Sequence, residues 1–358
     1  MSKKWEYCQL GDVISNGSSN ISINKIKDDF GDYPVFAAKG YVQNVSFYHQ
    51  EEEYLAVIKD GAGIGRVTKH PAKSSIVATM QYLLPKKGFD INFIKYFLES
   101  VDFEKYRKGS TIPHIYFKDY KSERFPKLTL VEQQRIVSIL DKAFAAIVKV
   151  KVNTEQNLIN ALEVFESYLQ EVFESGNWER KAIELICDEI FAGGDAPKNN
   201  LSLKPDDKYK IPIYANAVKD KGLYGYTDFA SVTKPCVTIS ARGSGTGHTE
   251  LRDEPFLPIV RLIVCVPNTD LILAEFLKIA IDNLVIHRSG SAIPQLTIPM
   301  IKSYKIPVPS IIEQEHIIKN AEKLKEQIDN LDKIYQEKLA NLEELKKSIL
   351  HKAFAGEL

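Results

Sequence analysis

Residues 129–176 read TLVEQQRIVSILDKAFAAIVKVKVNTEQNLINALEVFESYLQEVFESG, with no proline and no glycine before the last position. Thr129 and Glu132 have the spacing of a capping box, in which a hydroxyl and a carboxylate satisfy orphan backbone donors at a helix start. Apolar residues then recur at steps of three and four, with one double step from Val150 to Leu158: Ile136, Leu140, Ala143, Ile147, Val150, Leu158, Ala161, Phe165, Leu169 and Val172. Gly176 follows, where a left-handed C-terminal cap belongs. The pattern predicts one helix of about 46 residues, spanning about 69 Å at 1.5 Å per residue. That exceeds the diameter of a small domain and predicts a strut.

The pattern occurs twice. Residues 310–358 read SIIEQEHIIKNAEKLKEQIDNLDKIYQEKLANLEELKKSILHKAFAGEL, and Ser310 with Glu313 repeats the capping box. Ile317, Ala321, Leu324, Ile328, Leu331, Tyr335, Lys338, Leu342, Leu345 and Ile349 keep the rhythm, with Lys338 as its polar break. Sustained heptads predict a coiled coil. The competing reading, a helix lying on a domain surface, is disfavoured by length and duplication. The order domain, helix, domain, helix predicts antiparallel pairing, with the domains at opposite ends of a rod and Gly356 near Trp5.

The halves align as an internal repeat. Gly109-Ser110-Thr111-Ile112-Pro113 recurs as Gly290-Ser291-Ala292-Ile293-Pro294, Glu132-Gln133 as Glu313-Gln314, and Leu169 with Phe173 as Leu350 with Phe354, each 181 residues later. Upstream, Gly61, Gly63 and Gly65 are echoed by Gly243, Gly245 and Gly247. Tyr54–Ile58, Ser75–Leu84, Cys236–Ser240 and Pro258–Val266 read as strands, and Phe93–Phe103 and Leu271–Leu284 as helices. The expected fold class is α+β: two tandem α+β domains, each followed by a long helix, the two helices pairing as an antiparallel coiled coil.

Composition sets bounds. The 358 residues carry 47 Lys/Arg and 47 Asp/Glu, so net charge does not advertise a nucleic-acid binder. The four cysteines, Cys8, Cys187, Cys236 and Cys265, show neither metal-ligand spacing nor a disulfide framework. The start lacks an apolar signal core and no stretch approaches 18 apolar residues, so a cytoplasmic protein without membrane partners is expected.

Catalytic signatures are missing. There is no P-loop, and Arg66 and His248 stand where a dinucleotide-binding glycine motif needs its third glycine. No methyltransferase Pro-Pro motif, nuclease carboxylate set or metal-ligand histidine spacing occurs, so neither cofactor nor metal is expected. What is present suits contact with double-stranded DNA. Lys59 to Arg66 and Ser240 to His248, with Arg242, Ser244 and Thr246 between, join glycines to cations and hydroxyls. Such loops bring backbone amides close to phosphates. Arg107, Lys108, Ser110 and Thr111 form a similar set, as do His287, Arg288, Ser291 and Gln295. Each loop alone is also compatible with a plain hairpin turn; recurrence in both repeats favours the binding role. Tyr41, Tyr224 and Tyr226 are placed in turns, where they suit either base contact or a core.

These motifs together resemble the specificity subunit of type I restriction-modification systems: G-S-x-I-P, then a proline-bearing strand (Phe125-Pro126; Ile306-Pro307-Val308-Pro309), then E-Q and a long helix ending A-F-A-G-E-L. The resemblance covers the whole chain, in duplicate. It implies target-recognition domains at 1–128 and 177–309, with conserved helices at 129–176 and 310–358. It implies that each domain reads one half of a bipartite DNA site, and that catalysis belongs to partner methyltransferase subunits and, through them, restriction subunits. The first repeat departs from the pattern, ending Val-Phe-Glu-Ser-Gly where the second has Ala-Phe-Ala-Gly. Two other classes compete: a coiled-coil adaptor with protein-binding end domains, and a self-contained DNA-modifying enzyme.

Overall fold

The computed structural model describes residues 5–243, 245–284 and 295–358. The chain divides into two compact units, Met1–Glu155 with Tyr335–Leu358, and Gln156–Ile334. In the first unit a four-stranded antiparallel sheet has the order Ile14–Ser18, Met80–Pro85, Tyr54–Ile58, Val67–His70. Its Tyr54–Ile58 strand is buried along its whole length, which is why it reads as an unbroken apolar run. A three-stranded sheet of Gly40–Val45, Tyr33–Ala37 and Ser75–Ile76 lies beside it in the chain, its last pair parallel.

The second unit repeats this order strand for strand. Cys187–Ala192, Ile263–Pro267, Cys236–Ile239 and Thr249–Arg252 form the four-stranded sheet; Leu223–Thr227, Ile211–Tyr214 and Leu257–Pro258 form the three-stranded one. The runs at 75–84 and 258–266, expected as single strands, are each split at the same place. Met80 N–H donates to the Val77 carbonyl (3.0 Å) and Leu262 N–H to that of Ile259 (3.1 Å). Each run leaves the three-stranded sheet, turns, and enters the four-stranded one, so the hydrophobic pattern continues while the hydrogen-bonding partners change.

Two short ribbons hold the entries to the long helices: Tyr7–Gln9 with Arg124–Pro126, and Arg180–Ala182 with Lys305–Pro307. Their prolines sit in two-stranded ribbons, where a missing N–H does not break a central ladder. The long helices run Leu130–Ser175 and Ile311–Ala355. At the second helix start, Ser310 N–H and Oγ both donate to Glu313 Oε2 (2.9 and 2.7 Å), holding its carboxyl below the usual range. At the first, Glu132 N–H donates to Thr129 Oγ1 at 3.4 Å.

Gln133 and Gln314, fully buried, explain the repeated E-Q pair. Gln133 Oε1 accepts from Asp90 N–H (2.8 Å) and its Nε2 donates to the Leu128 carbonyl (2.9 Å). Gln314 Oε1 accepts from Leu273 N–H (2.8 Å), and its Nε2 donates to the Leu271 and Pro309 carbonyls, both at 2.9 Å. Asp90 and Leu273 are the N-cap residues of the Ile91–Ser100 and Ala274–Asp282 helices. Each glutamine therefore ties the start of a long helix to the start of a short one, satisfying backbone groups that burial would otherwise orphan.

Inside the first unit the two long-helix segments run antiparallel, with Arg135 Nη2 donating to the Leu358 carbonyl (3.1 Å) and Lys151 paired with Glu343 (3.3 Å). The ring of Phe354 lies 5.3 Å from that of Phe93; in the second unit Phe173 lies 5.8 Å from Phe276. Gly356 packs beside Trp5. One detail of the seam differs from expectation. Lys338 and Leu345 are exposed, while Leu339 and Lys346 are half-buried in their place. Lys346 fits because its ammonium lies 3.2 Å from Glu99 and 5.3 Å from the Phe144 ring centre, while its stem covers apolar surface.

Candidate nucleic-acid interface

Both glycine-rich loops close by the same hydrogen bonds. In the first unit Ile58 N–H donates to the Arg66 carbonyl (3.0 Å), Gly65 N–H to that of Ile58 (2.9 Å) and Arg66 N–H to that of Gly63 (3.2 Å). In the second, Ser240 donates to His248 (2.8 Å), Gly247 to Ser240 (2.8 Å) and His248 to Gly245 (3.0 Å). Gly65 takes φ +81°, and a Cβ there would stand 2.4 Å from Phe103. The glycines are thus a requirement of the turn. Arg66 and His248 occupy its closing position.

The second predicted loop lies against the first. Lys108 and His114 exchange backbone hydrogen bonds (2.9 and 2.7 Å), presenting Ser110, Thr111 and Ile112 to solvent. Gly61 N–H donates to the Pro113 carbonyl and Ile115 N–H to that of Lys59, both at 2.9 Å. Between these bonds His114 Nδ1 meets Asp60 Oδ1 at 2.7 Å. The second unit makes the corresponding join: Leu296 N–H donates to the Ala241 carbonyl (2.8 Å), Arg242 and Gln295 form an antiparallel bridge, and Arg242 Nη2 donates to Gln295 Oε1 (3.3 Å).

The sequence-predicted residues fall into four groups. Arg66, Arg107, Lys108, Ser110, Thr111 and Arg242 are exposed along these loops. Their cations are also anchored: Arg66 Nη2 on the Ala38 carbonyl, Arg107 on Glu104 (3.2 Å) and Lys108 on Asp119 (2.7 Å). Lys59, His248 and Gln295 are partly buried, with Lys59 Nζ 3.9 Å from Asp60 and His248 Nε2 3.0 Å from Glu250. Thr246 is 2% exposed and its hydroxyl donates to the Gly243 carbonyl (2.6 Å), inside the turn. Ser244, His287, Arg288 and Ser291 lie outside the described residues, as does the second G-S-x-I-P stretch. Tyr41, Tyr224 and Tyr226 lie in strands rather than turns; Tyr41 is 62% exposed.

Two polar features are not legible in the sequence. One is the Asp60–His114 pair, which meets across 54 positions, though His114 follows its I-P pair as Gln295 follows the second. The other is Asn216: its Oδ1 accepts from Ala241 and Arg242 N–H, and its Nδ2 donates to the Arg242 carbonyl (2.9 Å). In the first unit the Thr79 carbonyl accepts from Lys59 and Asp60 instead (3.0 and 3.3 Å). The substitution accompanies a change of turn, because Val260 and Arg261 are left-handed (φ +53° and +60°).

A buried slot at the end of each hairpin far from its loop is also filled differently. His70 stacks on Tyr54 at 5.3 Å between ring centres, and burial pushes its pKa down to about 4. The matching strand position holds Arg252, whose guanidinium lies 3.5 Å from the Tyr214 ring centre and donates to the Lys221 carbonyl. Burial lowers its pKa too. Among the described residues no group of three or more His, Cys, Asp or Glu could hold a metal ion, and no helix is long and apolar enough to cross a membrane.

Comparison with known proteins places this architecture. A protein of Mycoplasma pneumoniae described as a type I specificity subunit is 32% identical over 155 residues, covering 43% of this chain and 42% of that one. The chain thus matches about two fifths of that relative's length. The type I restriction enzyme MjaVIII specificity subunit of Methanocaldococcus jannaschii is 22% identical over 99% of this chain and 93% of its own. A solved chain from work on complex assembly and conformational transition of the type I R-M system superposes with a TM-score of 0.76 at 16% identity, covering 99% and 98% of the two chains. The HsdS subunit from Thermoanaerobacter tengcongensis gives 0.59 at 15% identity, covering 99% and 97%; both likenesses concern the fold. The model of the type I restriction modification DNA specificity domain matches residues 2–161 and again 175–343, and the chain belongs to that family.

Proposed function

We propose that this chain is the DNA-target-recognition component of a type I restriction-modification assembly. Each globular region, 1–128 and 177–309, reads one half of a bipartite duplex site. The helices 129–176 and 310–358 serve as the docking frame for methyltransferase subunits, through which restriction subunits join. The chain itself performs no chemistry. The loops at 59–66 and 107–114, and at 240–248 and 287–295, supply the DNA contacts, their amides and cations on phosphates and selected side chains on base edges.

The observation that carries this reading is one backbone frame built twice with different side chains at its loops. A catalytic repeat would keep its reacting groups. Asp60 with His114 in one unit and Arg242 with Gln295 in the other share a position and no chemistry. That is what two readings of two different half-sites require.

The test is a domain exchange. With residues 1–128 replaced by the corresponding region of a relative, the complex with methyltransferase subunits is expected to methylate a motif altered in one half only. A motif altered in both halves together, or unaltered, overturns the modular reading. Methyl transfer or ATP hydrolysis by the purified chain alone would overturn the non-catalytic assignment.

A further inference from the structure

The join between the two loops has the same backbone geometry in both units. Asp60 bridges His114 as Arg242 bridges Gln295, and Ile115 N–H closes on Lys59 as Leu296 N–H closes on Ala241. Each pair belongs to two segments far apart in sequence, so its position is set by the fold rather than by one flexible loop. The backbone beneath is held on both sides. In the first unit the Thr79 carbonyl accepts the amides of residues 59 and 60. In the second the Asn216 amide oxygen accepts those of 241 and 242.

The two pairs have opposite hydrogen-bonding character. Arg242 is exposed and directs one of its five N–H donors at Gln295, so the station as a whole is donor-rich. Asp60 is a carboxylate with 29% of its side chain exposed; His114 holds Oδ1 at 2.7 Å, while Lys59 Nζ stands 3.9 Å from Oδ2, beyond hydrogen-bond distance, and leaves it able to accept. That station is acceptor-rich. In the major groove an arginine fork matches guanine O6 and N7, whereas a carboxylate accepts from the amino group of cytosine.

We propose that this paired position is a base-reading station present in both units, and that its contents set what each half-site demands there: a guanine for the Arg242–Gln295 station and a cytosine for the Asp60–His114 station. The assignment rests on the reading of the chain as a DNA-target-recognition component and names where the discrimination sits. It also distinguishes the station from its neighbours. Lys108 and Arg107, anchored on Asp119 and Glu104, serve the phosphates.

The experiment is selection from a duplex library randomised over both half-sites, using the full chain in complex with methyltransferase subunits. Wild type is compared with Arg242→Gln, Arg242→Lys and Asp60→Asn, each first checked for an unchanged melting temperature. Arg242→Gln should abolish a guanine preference at one position of one half-site, by about tenfold or more, and leave every other position intact. Arg242→Lys keeps the charge and loses the fork, so it should retain overall affinity and lose the same preference. Asp60→Asn should change one position in the other half-site. Uniform weakening without a change of motif would make Arg242 a phosphate contact and overturn the station; an unchanged motif at unchanged affinity would do the same. If wild type itself enriches no motif, the failure lies with DNA recognition by this chain.

Discussion

The two units agree strand for strand and differ at almost every loop side chain. They share sheet order, split strand, buried glutamine clamp and the phenylalanine that docks a long helix on the globular core. They differ at Asp60/Arg242, His114/Gln295, Arg66/His248 and His70/Arg252. The lesson concerns what each position must satisfy. A buried amide or a left-handed turn admits few residues, whereas a supported loop surface admits many. The frame can therefore stay fixed while the surface chemistry reverses sign.

The largest expected effect tests the shared frame. Gln133→Leu leaves one backbone amide and one carbonyl without the glutamine, and Gln314→Leu one amide and two carbonyls, at about 1–3 kcal/mol per group. Both should lower stability by about 3 kcal/mol or more, in their own unit. The two tryptophans, Trp5 and Trp178, lie one in each unit and give separate denaturation signals when the other is replaced by Phe. A loss below 1 kcal/mol at either glutamine would break the equivalence.

A smaller effect tests a difference. Well above pH 6.5 His70 is neutral folded or unfolded and contributes nothing. As pH falls from there toward about 4, the unfolded chain takes a proton that the buried ring refuses, so the first unit loses stability. The loss should be about 2 kcal/mol at pH 5. Arg252, charged throughout this range, adds no such slope to the second unit. His70→Gln should flatten the acid limb of the Trp5 signal; an unchanged limb would assign it to other groups.

The smallest effect tests what replaced what. Asn216→Ala withdraws the acceptor for Ala241 and Arg242 amides and should cost about 1–2 kcal/mol in the second unit. No single side-chain change in the first unit can match it, because Thr79 serves there through its main-chain carbonyl. A stability change measured by the Trp5 signal rather than the Trp178 signal would contradict the assignment.

Much of the frame was legible because it rests on periodicity. Ile136, Leu140 and Leu169 announce the first helix, and the repeat spacing of 181 announces the second unit. The E-Q pair was visible as a repeated motif but not as a clamp, since a glutamine's partners at Asp90 and Leu273 are set by tertiary packing. The split at Val77–Thr79 was hidden because apolar residues continue through it. Lys346 was passed over for Leu345 because a seam lysine needs Glu99 and Phe144, neither of which lies near it in sequence. At the candidate interface the glycines and cations could be read, whereas the Asp60–His114 and Asn216 contacts required the fold.

One feature of the first unit bears on how the chain is made. Its core includes Leu350 and Ala353, which are synthesised only after the entire second unit. At about 5–20 residues per second, the roughly 195 residues between Glu155 and Leu350 take about 10–40 s to emerge. Throughout that interval the Phe93 and Phe97 face lacks the Phe354 ring that later covers it. The first domain made is thus the last completed, and until then its aromatic face is transiently uncovered apolar surface.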